Sequence, residues 1–253
     1  MRNVILGFMA FLIGPISLAA QDPPPKLKVC LVSGSEEYHS DATLAAFQRD
    51  LEAEYHVACV LLKARGTTEL PGLEALDDCD VAVFFTRRLE IEGEDLARVK
   101  KYCESGRPVV ALRTASHGFQ NWLEFDKLVL GGNYRGHYAN NTTMKAVLVD
   151  GAQRHPVMAG VEPIASRGSL YKTSPLAPDA TPLMMGSTPE GTHPVTWVRT
   201  YHGGRVFYTS LGTPADFEEP SFRRLLTNAI FWAAGREAVV KETARGSKPQ
   251  SRP

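Results

Sequence analysis

Pro108-Val109-Val110-Ala111-Leu112-Arg113-Thr114-Ala115-Ser116-His117-Gly118-Phe119 decides the fold. Five residues without a charge run straight into a small, polar turn. A short, wholly apolar run bounded by turn residues is the mark of a strand buried on both faces. The apolar positions that follow, Trp122, Phe125, Leu128 and Val129, predict a helix after the turn, and Ser116 is a natural N-cap for it. The segment therefore reads as strand, elbow, helix, with the elbow held above the edge of a sheet.

Upstream the same grammar repeats. Leu27 to Val32 is a first apolar strand ending at Ser33-Gly34-Ser35. Ser40 is placed to cap a helix whose apolar face is Leu44, Phe47 and Leu51. Val57–Leu62 and Val81–Phe85 give two more strands. Glu94 and Asp95 open a helix at the end where the dipole favours acids. Leu96, Val99 and Cys103 form its stripe, and Gly106 and Pro108 stop it. Strands alternating with helices predict an α/β fold with three layers, a mostly parallel sheet with helices on both faces. Such sheets bind ligands beyond the carboxyl ends of their strands. Here those ends are the Ser33–Ser40 loop, the Thr86–Gly93 loop and the turn from Arg113.

The second half is less regular. Met144–Val149, Thr181–Met185, Val195–Arg199 and Arg205–Thr209 read as strands, the last two a hairpin around His202-Gly203-Gly204. Phe222, Leu225, Leu226, Ala229, Ile230 and Ala233 follow helical spacing to Gly235. One domain is expected over 26–235, with residues 236–253 a charged, disordered tail.

Residues 1–20 differ from the rest. Arg2, the apolar run Val4–Ile13 and Ser17-Leu18-Ala19-Ala20 make a secretory signal peptide cleaved near Ala20, so the chain is expected to be exported to the periplasm or beyond. No later segment approaches the ~20 apolar residues of a membrane helix, so no integral membrane segment is expected in the mature chain. The 253 residues carry 28 Lys and Arg against 28 Asp and Glu. That balance argues against nucleic acid, which demands a basic excess. Cys30, Cys59, Cys79 and Cys103 show no zinc spacing and read as reduced core cysteines, with a Cys79–Cys103 disulfide as the alternative.

The chemistry-bearing residues fall in the predicted carboxyl-edge loops. His39 follows the first strand and His117 the fourth. His137 sits in the Gly-rich stretch Gly131-Gly132-Asn133-Tyr134-Arg135-Gly136-His137-Tyr138. Histidines from three loops can ligate a divalent metal or act as acid and base near neutral pH. Arg113 at the elbow can bind or polarise an oxygen. Tyr38, Trp122, Asn133 and Tyr134, with Ser116 and His193, are candidate substrate contacts, since aromatic faces with polar tips suit a sugar. For Phe119 and Trp122 a role in capping the core is equally open. Thr114-Ala115-Ser116-His117-Gly118 also loosely matches a nucleophile elbow, which makes a serine hydrolase using Ser116 a competing reading. His56, His155 and His202 read as structural.

From Lys28 to Gly235 the chain resembles the ThuA-like (trehalose utilisation) proteins. The resemblance rests on Tyr38-His39-Ser40, on Arg113–Phe119 with Trp122 and Phe125, and on Gly131-Gly132 with His137. It continues in His155-Pro156-Val157, His193–Arg199, Gly204–Gly212 and Phe222–Ile230. It implies a flavodoxin-like sheet similar to class I glutamine amidotransferases, and a substrate among trehalose, related disaccharides and their keto derivatives. A glycoside or keto-glycoside hydrolase or isomerase is the implied activity; a non-catalytic carbohydrate-binding module is the alternative. Arg113 stands where amidotransferases hold their nucleophilic Cys, so amidotransferase chemistry is not expected. The sequence departs from many relatives in two places. They carry His at or near the elbow, where this chain has Arg113, and Leu-Gly-His where it has Leu211-Gly212-Thr213.

Overall fold

The computed structural model describes residues 25–139 and 142–241. The expected signal peptide lies outside them, as do residues 242–253 of the expected tail.

The first half builds as the sequence predicts. Strands β1 (Leu27–Gly34), β2 (Val57–Lys63), β3 (Val81–Thr86) and β4 (Val109–Leu112) are parallel neighbours in the order β2-β1-β3-β4. Alternation sorts their side chains between two cores. Val29, Leu31, Val83, Phe85, Val110 and Leu112 face one side, and Cys30, Val32, Phe84 and Ala111 face the other. On the first side lie helices α1 (Ser40–Glu54), α3 (Pro214–Glu218) and α4 (Pro220–Ala233). On the second lie α2 (Gly93–Glu104) and a π-helix, Phe125–Leu130.

Three local expectations change. Between β2 and β3 the chain makes only a 3₁₀ turn, Leu73–Asp77, rather than a full helix. Ser40 is the first residue of α1, not its cap, and its Oγ accepts from the Ser35 amide at 2.8 Å. After the elbow comes a 3₁₀ turn, Arg113–His117, and then the π-helix; its wider period buries Phe125, Val129 and Leu130 and leaves Leu128 exposed.

The sheet as a whole is mixed, which corrects the expected mostly parallel arrangement. Strands β5 (Met144–Leu148), β6 (Ile164–Ser166), β7 (Thr181–Thr188), β8 (Gly191–Tyr201) and β9 (Gly204–Thr209) follow. The full order is β2-β1-β3-β4-β9-β8-β7-β5-β6. β9 is parallel to β4, but every pairing from β9 outward to β6 is antiparallel. The hairpin β8–β9 joins the parallel half through β9 and carries three more strands, β7, β5 and β6, with it; its short turn joins the antiparallel strands β8 and β9.

The four cysteines are free. The expected tail also starts late: Val240 pairs with Tyr55 and the Lys241 amide donates to Glu54 O at 2.8 Å, so residues 236–241 belong to the folded body. No helix among the described residues is long and apolar enough to cross a membrane.

Candidate functional site

Among the described residues, three of the four non-glycine residues with positive φ sit in the carboxyl-edge loops: His39 (47°), Arg88 (49°) and Arg113 (44°). Left-handed backbone costs an L-residue of order 1 kcal/mol or more and survives where the surroundings impose it. Here the loops after β1, β3 and β4 are laced together. The Arg87 amide donates to Gly34 O (2.9 Å), the Arg88 amide to His117 O (2.8 Å) and the Leu89 amide to Gly118 O (2.8 Å).

At the elbow, the left-handed turn sends the Arg113 side chain inward, and only 1% of it is exposed. Nη1 donates to Ser210 O at 2.7 Å, and Nη2 donates to Tyr38 Oη at 3.1 Å and Ser169 Oγ at 3.4 Å. The guanidinium also lies over the rings of Tyr38 (4.4 Å) and Tyr171 (4.9 Å). Burial opposes its charge, and the oxygens of Tyr171, Tyr38 and the Asp216 carboxylate outweigh that penalty. Arg113 is therefore a brace inside the fold, which corrects its expected contact with substrate. Gly168 leaves room for it: a Cβ there would meet Arg113 Nη1 at 2.6 Å and Thr213 Cγ2 at 2.9 Å. Arg113 and Thr213, the two departures from the family pattern, thus adjoin the same glycine. Thr213 itself caps α3, its Oγ1 accepting from the Asp216 amide at 3.3 Å.

His117 is half-buried at the mouth of this brace. Its ring stacks on Tyr134 at 4.5 Å and 18°, with Tyr171 tilted behind at 6.1 Å. Nδ1 lies 3.1 Å from Ser116 Oγ. Desolvation, then the charges of Arg88, Arg87 and Arg113, push its pKa down to about 3. The imidazole is accordingly neutral at any working pH.

Tyr134 and Tyr171 reach His117 because two loop segments pair. The Arg135 amide donates to Lys172 O (3.0 Å), that of Lys172 to Gly136 O (2.9 Å) and that of Tyr138 to Leu170 O (2.9 Å). Asp126 of the π-helix anchors this ribbon by accepting from the Tyr134 amide at 2.7 Å. Desolvation raises its carboxyl to about 6, since the Tyr134 amide and the Lys127 charge offset only part of the cost.

The other expected site residues divide. Tyr38 joins the brace, and His137 lies 6.3 Å from the Tyr171 ring with Nδ1 on Tyr138 O (2.7 Å). His39 is exposed on the far side of the β1 loop. It lines a cleft of about 830 Å³ with Ser35, Glu37, Lys63, Thr67 and Arg87. Arg87 Nε and Glu37 Oε2, 2.7 Å apart, border both this cleft and the His117 cluster, since the charge of each acts on that cluster. This cleft, whose lining excludes His117, Tyr134 and Tyr171, lies beside the aromatic site. We take His117 as the centre because its environment is the more perturbed.

His39, His117 and His137 form no ligand set: among the described residues no three His, Cys, Asp or Glu side chains are grouped to hold a metal. Trp122 is 5% exposed and packs on Phe119 and Phe125 in the second core, so it is no substrate contact. Ser116 is equally buried, donates to Arg113 O at 3.3 Å and does not occupy the strained elbow position, which removes the geometry of an exposed nucleophile. Asn133 spends its amide on Ser174 O (3.1 Å). His193 meets Tyr138 (Nε2 to Oη, 3.5 Å) rather than His117. His155 is structural as expected, its Nδ1 accepting from the Val157 amide at 3.2 Å. Tyr171, Arg87 and Arg88 were not foreseen. Arg88 is signalled by nothing but its place after β3, and Tyr171 lies in a stretch without periodicity.

A braced elbow, a neutral imidazole and a tyrosine pair at the carboxyl edge define an α/β protein with a polar, aromatic edge site. Residues 28–233 match the sequence profile of the ThuA family, described as trehalose utilisation, and the chain belongs to that family. Among curated proteins none matches significantly. Among solved structures, a ThuA-like protein from Parabacteroides merdae is similar at TM-score 0.66 and 16% identity, over 83% of this chain and 91% of that one. A ThuA-like protein from Bacteroides uniformis is similar at 0.63 and 19%, over 87% and 95%. A β-galactosidase from Rahnella sp. R3 is similar at 0.57 and 14%, over 84% of this chain but 32% of the enzyme. At these identities the likeness is one of fold.

Proposed function

We propose that the chain is an exported protein of carbohydrate metabolism that acts on a disaccharide or keto-sugar derivative at the His117–Tyr134 face. The observation that carries this reading is the neutral His117 stacked on Tyr134, with arginine charge beside it. Tyrosine faces take the apolar face of a pyranose. Ser116 Oγ–H points to Arg113 O, so its oxygen accepts from His117 Nδ1–H and leaves Nε2 free to accept from a sugar hydroxyl. An arginine beside that hydroxyl polarises a neighbouring carbonyl. This favours keto-sugar chemistry over simple glycoside hydrolysis, which needs two free carboxyl groups. Glu37, the carboxylate whose charge acts on Tyr171, is held by Arg87.

The commitment of Glu37 also favours the second reading, a carbohydrate-binding module without turnover. Calorimetry and product analysis with trehalose and 3-keto-trehalose separate them. Turnover that falls at least tenfold in His117→Ala and Tyr134→Ala supports the enzyme, and tight binding without turnover supports the module. Sugar binding and turnover unchanged in both variants would remove the site from either.

A further inference from the structure

The charges around the site are not balanced as the whole chain is. The charges that bear most on His117 are those of Arg88, Arg87 and Arg113. Those acting on the neighbouring His193 are Lys172 and Arg135. Glu36 of the β1 loop and Asp41 of α1 line the separate cleft, and Glu37, which borders both cleft and site, is paired with Arg87. Of the arginines, Arg113 is buried with both terminal nitrogens donating to protein oxygens, and Arg87 is paired with Glu37. Arg88 differs from both. It is exposed, forms no ion pair among the described residues, and is fixed in a left-handed conformation by its amide bond to His117 O. That bond sets Arg88 against the elbow, and its charge has the largest effect of those that bear on both His117 and Tyr134. An exposed guanidinium next to a neutral histidine, with the nearby Glu37 already paired to Arg87, suits an anion.

From this unpaired Arg88 beside the His117–Tyr134 stack, we infer that the ligand of the site is an anionic carbohydrate, one bearing a carboxylate or phosphate that Arg88 receives. The inference rests on the carbohydrate reading above and narrows it. A sugar ring lies against the partly exposed Tyr134, and its anionic substituent meets the guanidinium. Carboxylate and phosphate present the same paired oxygens to the fork, so the chemistry they share is what the site recognises.

The test is calorimetry on the full mature chain with matched ligands: glucose, glucuronate, glucose 6-phosphate, and acetate and inorganic phosphate as anions without a ring. Each is titrated at low and at physiological salt. An anionic sugar is expected to bind at least about tenfold more tightly than glucose, with the margin shrinking as salt rises. Arg88→Gln should abolish the margin, and Arg88→Lys should restore part of it. Glucuronate against glucose 6-phosphate tells which anion is preferred. Equal or weaker binding of the anionic sugars, no binding of them, or a margin that survives Arg88→Gln overturns the inference. Acetate or phosphate binding as tightly as the sugars would leave the anion site standing and sink the carbohydrate reading instead.

Discussion

The His117 imidazole lies 4.5 Å from the Tyr134 ring and nearly parallel to it, and this contact brings together residues from the two halves of the sheet. His117 comes from the elbow after β4, in the parallel half. Tyr134 comes from the ribbon that leads toward β5, in the antiparallel half. The site therefore exists only when both halves are assembled.

Burial and arginine charge hold His117 near pKa 3, against 6.5 for the free side chain. Between those values the unfolded chain binds a proton that the folded chain does not. Stability from this residue is thus full above about pH 6.5 and falls as pH drops toward 3, by at most ~1.4 kcal/mol per pH unit. In NMR the His117 ring resonances should stay at their neutral positions from pH 8 to 4.5. Arg88→Gln should shift the midpoint upward. A wild-type midpoint near 6.5 would contradict the environment described.

Asp126 works in the opposite sense. Its folded pKa of about 6 lies above the usual 3.8, so ionising it costs stability at neutral pH, and acidification through 6 relieves the cost. Asp126→Asn keeps an oxygen for the Tyr134 amide and removes the buried charge. It should stabilise the fold by about 1–2 kcal/mol at pH 7.5, with the gain fading below about pH 4. Denaturant midpoints at the two pH values decide it; a loss of stability at pH 7.5 would mean that the charge is needed to hold the ribbon.

The parallel half was legible because buried strands write themselves as apolar runs: Val81–Thr86 and Val109–Leu112 are buried at every position. The carboxyl edge followed from that, and so did the placement of Tyr38, Arg113 and His117 near one another. The antiparallel half was not legible as such, since Met144–Leu148 or Gly191–Tyr201 gives no sign of which neighbour it will choose. Nor does sequence show which way a loop side chain points. Arg113 and Trp122 turned inward, and His39 turned to the other side of its loop. A positive φ at Arg113 or Arg88 has no signature in residue types that normally avoid it.

Ser116 tests the hydrolase reading directly. Its Oγ is buried between Arg113 O and His117 Nδ1. A fluorophosphonate probe should leave the native chain unlabelled. Ser116→Ala should cost about 1 kcal/mol of stability from the lost hydrogen bonds while keeping sugar binding within a few fold. Covalent labelling at Ser116 would restore the nucleophile.

Arg113 separates a brace from a ligand contact. Arg113→Ala opens a cavity and strands Ser210 O and Tyr38 Oη, so a loss of about 3 kcal/mol or more is expected. Arg113→Met keeps much of the volume and removes the buried charge, and its cost should be nearer ~1 kcal/mol, the price of the unmade hydrogen bonds. In the Met variant Tyr38 and Tyr171 still have a side chain to pack on, so ligand affinity should fall less than threefold, about 0.6 kcal/mol. Thermal denaturation and calorimetry on the same two proteins give both numbers. A folded, stable Met variant that had lost ligand binding altogether would put Arg113 back in contact with substrate, because a brace acts only through the order it imposes on the residues around it.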